Sequence, residues 1–257
     1  MPIIFDGRAF AKKKEEELKE KVEKLRSLGI NPKLVSVLVG GNKGGVLYTR
    51  LKKEAAQRVG IEFEVRNSVD DIKELNEDEK VYGIMIQMPL PEKIRSEKFG
   101  IINSIDPQKD IDGLGEDSPF LHPTSRAILE VIEEASRDTN LTCVVVGATG
   151  MVGRPLVVEL KRRGYKVIEC NTKTLDLKAE TLKGDILISA TGKTGIIKSD
   201  MVKNGAIVID VGYPEGDVEK KAKEKASFAT PVPGGIGPVT ISCLLENLVE
   251  ACYNSRR

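Results

Sequence analysis

The sequence predicts an α/β protein of two lobes, each built on a parallel sheet, and three observations carry that prediction. Short apolar runs alternate with amphipathic helical segments, the order that parallel strands joined by crossover helices require. The alternation comes in two series, separated by an aperiodic segment rich in Asp, Gly and Pro at 106–123. Aromatic residues make up 4% and Trp is absent, against 31% charged residues. That composition suits helix-covered sheets better than a sandwich resting on aromatic cross-strand pairs. With 257 residues the chain has room for one large or two compact domains.

In chain order, residues 11–28 place Leu18, Val22, Leu25 and Leu28 on one helical stripe and fill the other face with Lys and Glu, which reads as a solvated face. The runs 34–39, 61–65 and 82–87 read as strands, with helices near 47–59 and 92–102. After the separating segment, a helix is expected over 124–134. The second series, 142–146, 166–169, 185–190 and 206–211, is nearly continuous in Val and Ile, as strands covered on both faces are. This half therefore reads as doubly wound. The last segment sets Ile241, Leu244, Leu245, Leu248 and Cys252 on one face, a stripe that needs a packing partner.

Composition excludes several classes of function. Forty Lys and Arg against 39 Asp and Glu leave a net charge of +1, so no single-sign field points to nucleic acid or an anionic membrane. Cys143, Cys170, Cys243 and Cys252 show no CxxC spacing, and with one histidine, His122, they predict no metal site. No apolar run approaches the ~18 residues of a membrane span, and the start lacks a secretory pattern. A soluble cytoplasmic protein is expected.

The strand at 142–146 runs into Gly147-Ala148-Thr149-Gly150-Met151-Val152-Gly153, followed by Arg154-Pro155 and an apolar helix. Glycines allow a tight turn and close approach to a pyrophosphate, and the helix start offers unpaired N–H groups. The spacing is GxxGxxG, which fits either a dinucleotide turn or a plain strand-to-helix turn. At the end of the next strand, Glu169 stands where an acid would hold the ribose of NAD, while Thr172 and Lys173 suit a 2′-phosphate. NADP is favoured and NAD stays open.

Four further features bear chemistry. Tyr48 and Lys52 stand four apart at the start of a helix and so share a face. A desolvated Lys can exchange protons near neutral pH. Gln87 ends a strand before Met88-Pro89-Leu90-Pro91, at the strand end where open α/β sheets bind ligands. Asp110-Ile111-Asp112-Gly113 lies in the separating segment, where a carboxylate can either grip a heterocycle or form a turn. Thr230 through Pro238 holds three glycines and three prolines, a constrained stretch that serves as a binding loop or a hinge.

Together and in this order, these residues resemble the bifunctional methylenetetrahydrofolate dehydrogenase/methenyltetrahydrofolate cyclohydrolase family. The resemblance covers nearly the whole chain and also takes in Val152-Gly153-Arg154-Pro155 and Asp210-Val211-Gly212. It implies a folate-binding catalytic lobe of 1–120 plus 239–257, a Rossmann-like NADP lobe of 121–238, and a homodimer. It implies oxidation of 5,10-methylenetetrahydrofolate and hydrolysis of the methenyl product to 10-formyltetrahydrofolate. It further implies that Tyr48 stacks on the substrate, Lys52 handles protons, Gln87 orients Lys52 and Asp112 holds the pterin. Pro233, Gly234 and Gly235 would line the substrate site. Gly147, Ala148, Thr149, Val152, Thr172, Lys173, Tyr213 and Thr230 would serve the cofactor.

The chain departs from the family pattern at several points. Gly147-Ala148-Thr149 stands for a usual Gly-Arg-Ser, and Asn171-Thr172 for a usual His-Ser. The segment 122–127 lacks the family's second Pro and Gly, and His122 is read as structural. The alternatives are a dehydrogenase on a methanopterin-type carrier or a shikimate-type substrate, and a non-catalytic nucleotide sensor.

Overall fold

The structure, a computed structural model, describes residues 1–41 and 43–255. In chain order its elements are β1 (Ile3–Ile4), α1 (Gly7–Ser27), β2 (Lys33–Val37), α2 (Lys43–Arg58), β3 (Glu62–Arg66), α3 (Ile72–Glu77), β4 (Gly83–Ile86), α4 (Lys98–Asn103) and α5 (Pro123–Ala135). There follow β5 (Thr142–Val146), α6 (Gly153–Arg162), β6 (Lys166–Cys170), α7 (Leu177–Thr181), β7 (Ile186–Ser189), β8 (Ile207–Asp210), α8 (Lys220–Lys223), β9 (Phe228–Ala229) and α9 (Ile236–Asn254). Every strand pairing is parallel, as the alternation predicts.

The chain divides into two compact units. One takes 12–123 and 241–257, the other 1–11 and 124–240. This differs from the expected 1–120 plus 239–257 against 121–238, chiefly at the N-terminus. The reason is a pairing that two residues cannot advertise: Ile3 and Ile4 align with Phe228 and Ala229 and add a short edge strand to the larger sheet.

The unit of 12–123 and 241–257, smaller only in its sheet, carries three strands in the order β3-β2-β4. Strand alternation sends Leu34 and Met85 into a core with Leu18, Val22, Leu25, Ala55, Ala56 and Leu248, so this face is covered by apolar positions of α1, α2 and α9. Val35, Val37, Ile84 and Ile86 point the other way, into a second core with Leu75, Ile101 and Ile105. Both faces are thus dry, which explains why the strands read as unbroken apolar runs. The stripe foreseen on the final helix is buried here, with Leu244, Leu245 and Leu248 at 1% exposure or less.

The unit of 1–11 and 124–240, larger only in its sheet, carries six strands in the order β1-β9-β8-β7-β5-β6. The chain steps from β5 to β6 on one side, then returns to place β7 on the other side of β5. That reversal is the topological switch point at which open α/β sheets bind ligands.

Candidate active site

In the smaller unit, Lys52 lies one turn after Tyr48 on α2, on the face turned to the sheet. Its side chain crosses to β4, where Nζ donates to Gln87 Oε1 at 3.0 Å and approaches Met85 Sδ at 3.5 Å. Met85 and Gln87 are two apart and so present side chains on one face of the strand line. Gln87 is held from its other end, its Nε2 donating to the Met88 carbonyl at 2.9 Å. Lys52 and Gln87 are both at least 91% removed from solvent. Burial pulls the Lys52 amine below the ordinary lysine range, and the Asp112 carboxylate opposes that shift. Tyr48 is half-buried.

The two aspartates of the Asp-Ile-Asp-Gly turn divide their tasks. Asp110 is buried and spends Oδ2 on the backbone N–H groups of Leu114 (3.0 Å) and Gly115 (2.7 Å), bracing its own loop. Burial raises its pKa. Asp112 is half-buried, and its charge reaches Lys52, Asp110 and His122.

His122, read as structural, lies within electrostatic reach of Lys52 and Asp112. Gly113 (φ +61) packs so tightly that a Cβ would lie 2.3 Å from the Phe120 carbonyl and 2.8 Å from the His122 nitrogen. The 112–113 and 120–122 segments therefore run in direct backbone contact. His122 is 8% exposed; burial and the Lys52 charge push its pKa down, while Asp112 pushes it up. The only hint in the sequence was that the chain's one histidine sits in the separating segment.

In the larger unit the glycine turn takes the predicted form. Gly147 follows β5 at φ +91, where a Cβ would lie 2.5 Å from the Ala190 carbonyl after β7, so only glycine fits at the switch point. Gly147 and Ala148 donate their N–H groups to the Cys170 carbonyl at 2.9 and 3.1 Å, tying the turn to the end of β6. Ala148 is buried, Thr149 is exposed, and Val152 is half-buried just before α6. Ser125 Oγ donates to the Val152 carbonyl at 2.8 Å.

Beyond β6, Asn171 Oδ1 accepts from the Lys173 N–H at 2.8 Å, and the Asn171 N–H donates to Thr174 Oγ1 at 2.9 Å. This compact turn leaves Thr172 and Lys173 exposed at its tip. Glu169 forms an ion pair at 2.6 Å with Lys161 of α6, so its carboxylate is engaged on the surface.

Thr230, expected to serve the cofactor, spends its hydroxyl within the chain. It is fully buried, and its Oγ1 accepts from the Asp210 N–H at 2.8 Å and donates to the Asp210 carbonyl at 3.3 Å. It acts as a strut between the ends of β8 and β9. The Asp210 carboxylate is a second strut: it accepts from the N–H groups of Gly212 (3.0 Å), Asp217 (2.9 Å) and Val218 (3.2 Å), and pairs with Lys223 Nζ at 2.6 Å. These contacts fix the loop that carries Tyr213, which is 45% exposed. Pro233, Gly234 and Gly235 begin with a cis Val232-Pro233 bond and pack on the start of α1, the carbonyl of Gly235 lying against Gly7. Among the described residues no group of His, Cys, Asp and Glu forms a metal site, and no helix is long and apolar enough to cross a membrane.

A parallel sheet with a glycine turn at its switch point, joined in one chain to a unit bearing a buried amine held by an amide, defines a nucleotide-dependent α/β enzyme with an acid–base site. Family models agree: residues 5–112 match the tetrahydrofolate dehydrogenase/cyclohydrolase catalytic domain, and residues 122–256 its NAD(P)-binding domain. The chain belongs to the tetrahydrofolate dehydrogenase/cyclohydrolase family. It is 38% identical to the bifunctional protein FolD of Bacillus licheniformis, with 96% of each chain covered. Its fold matches the bifunctional FolD enzyme of Campylobacter jejuni with a TM-score of 0.93 at 36% identity, covering 99% of this chain and 100% of that one. It matches the Trypanosoma brucei FolD, solved with NADP and an inhibitor, with a TM-score of 0.92 at 30% identity, covering 100% and 99%.

Proposed function

We propose that the protein oxidises 5,10-methylenetetrahydrofolate with NADP and hydrolyses the methenyl product to 10-formyltetrahydrofolate. The observation that carries the reading is the Lys52 Nζ to Gln87 Oε1 bond of 3.0 Å, made by a buried amine in the unit that matches the catalytic-domain family model.

The residues around the glycine turn fit NADP. The backbone at Gly147 is cleared of side-chain bulk, the turn opens onto the start of a ten-residue helix, and Thr172 and Lys173 offer a hydroxyl and a cation to a 2′-phosphate. When bound, NADP supplies the hydride acceptor. Oxidation then asks the chain for no base, because the folate's own nitrogen lone pairs expel the hydride; alignment and exclusion of water remain.

Hydrolysis does need a proton acceptor. Lys52, with its pKa lowered by burial, takes a proton from the water that adds to the methenyl carbon. Gln87 fixes the amine's direction, Asp112 holds the pterin, and Tyr48 stacks on the aminobenzoate ring. The functional form is a cytoplasmic homodimer; exposed Val158 on α6 and Leu175 beside edge strand β6 support a further contact surface. The test is a spectrophotometric assay with methylenetetrahydrofolate and each nicotinamide cofactor, followed by decay of the methenyl chromophore. Reduction of NADP with hydrolysis of the methenyl product is expected. Failure of either activity would overturn that half of the reading.

A further inference from the structure

Two buried hydroxyls in the helix–sheet layer that holds Lys52 have no protein partner among the described residues. Ser36 on β2 is 0% exposed and Thr49 on α2 is 5% exposed, and the Oγ of the first and the Oγ1 of the second meet no hydrogen-bonding group among the described residues. Such a hydroxyl in a dry interior costs about 1–3 kcal/mol.

Both lie at one place. Ser36 pairs in register with Met85, whose sulfur the Lys52 amine approaches, and neighbouring strands stand only about 4.8 Å apart. Strand alternation puts Ser36 on the Leu34 and Met85 side of the sheet, where Ala55 and Ala56 of α2 pack. Thr49 and Lys52 are three apart on α2, and Ala56 is seven beyond Thr49, so the three share the sheet-facing stripe. Once it has taken up a proton, the Lys52 ammonium has three donor hydrogens. Gln87 Oε1 and Met85 Sδ are its two protein partners among the described residues. Two hydroxyls and one ammonium hydrogen are thus left over in the same helix–sheet layer, while its other positions are apolar. Apolar residues of similar size would fill Ser36 and Thr49 at lower cost.

We propose that Ser36 and Thr49 hold a buried water beside the Lys52 amine, and that this water accepts a hydrogen bond from the ammonium that hydrolysis forms there. A water with two to four polar partners is the ordinary way such groups are satisfied. The inference rests on Lys52 as the proton acceptor of the hydrolytic step. In that step the oxygen of water bonds to the methenyl carbon and one of its protons passes to the neutral amine. The bond from that carbon to N5 then breaks as the formyl C=O forms, the proton of the new hydroxyl moving to N5. A cation and water become a neutral product and one proton, and that proton rests on a buried amine. Ser36 and Thr49 are positioning residues for the water that stabilises that ammonium.

The experiment compares Ser36→Ala, Thr49→Val, the double variant, Thr49→Ser and Lys52→Met in the full chain. The reading is the ratio of hydrolytic to oxidative turnover, which does not depend on the fraction of folded protein. The double variant is expected to lower that ratio about tenfold, part of the roughly 10²–10⁴-fold that a placed proton acceptor supplies. The KM for the methenyl substrate should stay within about twofold, because no substrate contact is lost. Thr49→Ser should keep the wild-type ratio. If the double variant unfolds, Ser36→Ala alone gives the same reading. A wild-type ratio in the double variant, with hydrolysis lost in Lys52→Met, overturns the water site and leaves Lys52 standing. Unchanged hydrolysis in Lys52→Met overturns both.

Discussion

Asn247 of α9 donates its side-chain amide to the carbonyl of Ile111 at 2.9 Å and so fixes the residue before Asp112. The same amide nitrogen donates to the Leu121 carbonyl at 3.0 Å, the residue before His122. One buried side chain from the last helix thereby sets the spacing of two titratable neighbours of Lys52. Replacing it with Leu leaves two carbonyls unpaired in the interior, which is expected to destabilise the fold by about 2–4 kcal/mol. Urea unfolding of the variant checks this, and a change below about 0.5 kcal/mol would mean the clamp is dispensable.

Lys52→Met is expected to lower hydrolysis of the methenyl substrate by at least about a hundredfold while folate affinity stays near that of the wild type. The unfolding profile gives a second reading. The native pKa of Lys52 lies below the unfolded value of 10.5, so between the two the unfolded chain binds more protons and wild-type stability rises with pH. The variant should lack that rise when the two are compared from pH 7 to 10.5.

Asp112→Ala is expected to raise the KM for folate in both reactions by about tenfold or more, the loss of a charge-assisted hydrogen bond. Equal affinities for wild type and variant in an equilibrium titration would remove Asp112 from the pterin site.

His122 gives a pH dependence of defined sign. Its native pKa is lowered from 6.5, so as pH falls from 6.5 toward that lower value the unfolded state takes up protons first and stability is lost. Above 6.5 the residue contributes no slope. His122→Asn should flatten the difference in unfolding free energy between pH 7.5 and 5.5; parallel curves for the two proteins would contradict the burial described for the ring.

Lys173→Ala should raise the KM for NADP about tenfold and that for NAD by no more than about twofold, since only the former has a 2′-phosphate to meet the cation. Initial rates with the two cofactors decide it. Equal effects on both would move the phosphate contact elsewhere.

Much of the fold was legible because burial on both faces writes long runs of Val and Ile: 142–146 and the core of 206–211 are strands as read. β1 and β9 were not legible, since two residues carry no period. At the site, helical spacing alone placed Tyr48 and Lys52 on one face, whereas Lys52 and Gln87 meet across 35 positions only through the sheet. A hydroxyl's partner is likewise invisible in sequence. Thr230 looks like any ligand-facing threonine until Asp210 is found to occupy its Oγ1, and Ser36 and Thr49 look like fillers until their oxygens are found unmatched. That His122 lies near Lys52 was not legible either, because the two are far apart in the chain.

The partition of residues 1–11 with 124–240 means that the backbone passes between the units three times, at 11/12, 123/124 and 240/241. Neither unit is therefore encoded by one uninterrupted stretch of gene. A single nick or a simple truncation yields no autonomous half, and grafting one unit from a relative demands three matched splice points. Swapping cofactor preference by recombination is thus much harder in this architecture than by point substitution.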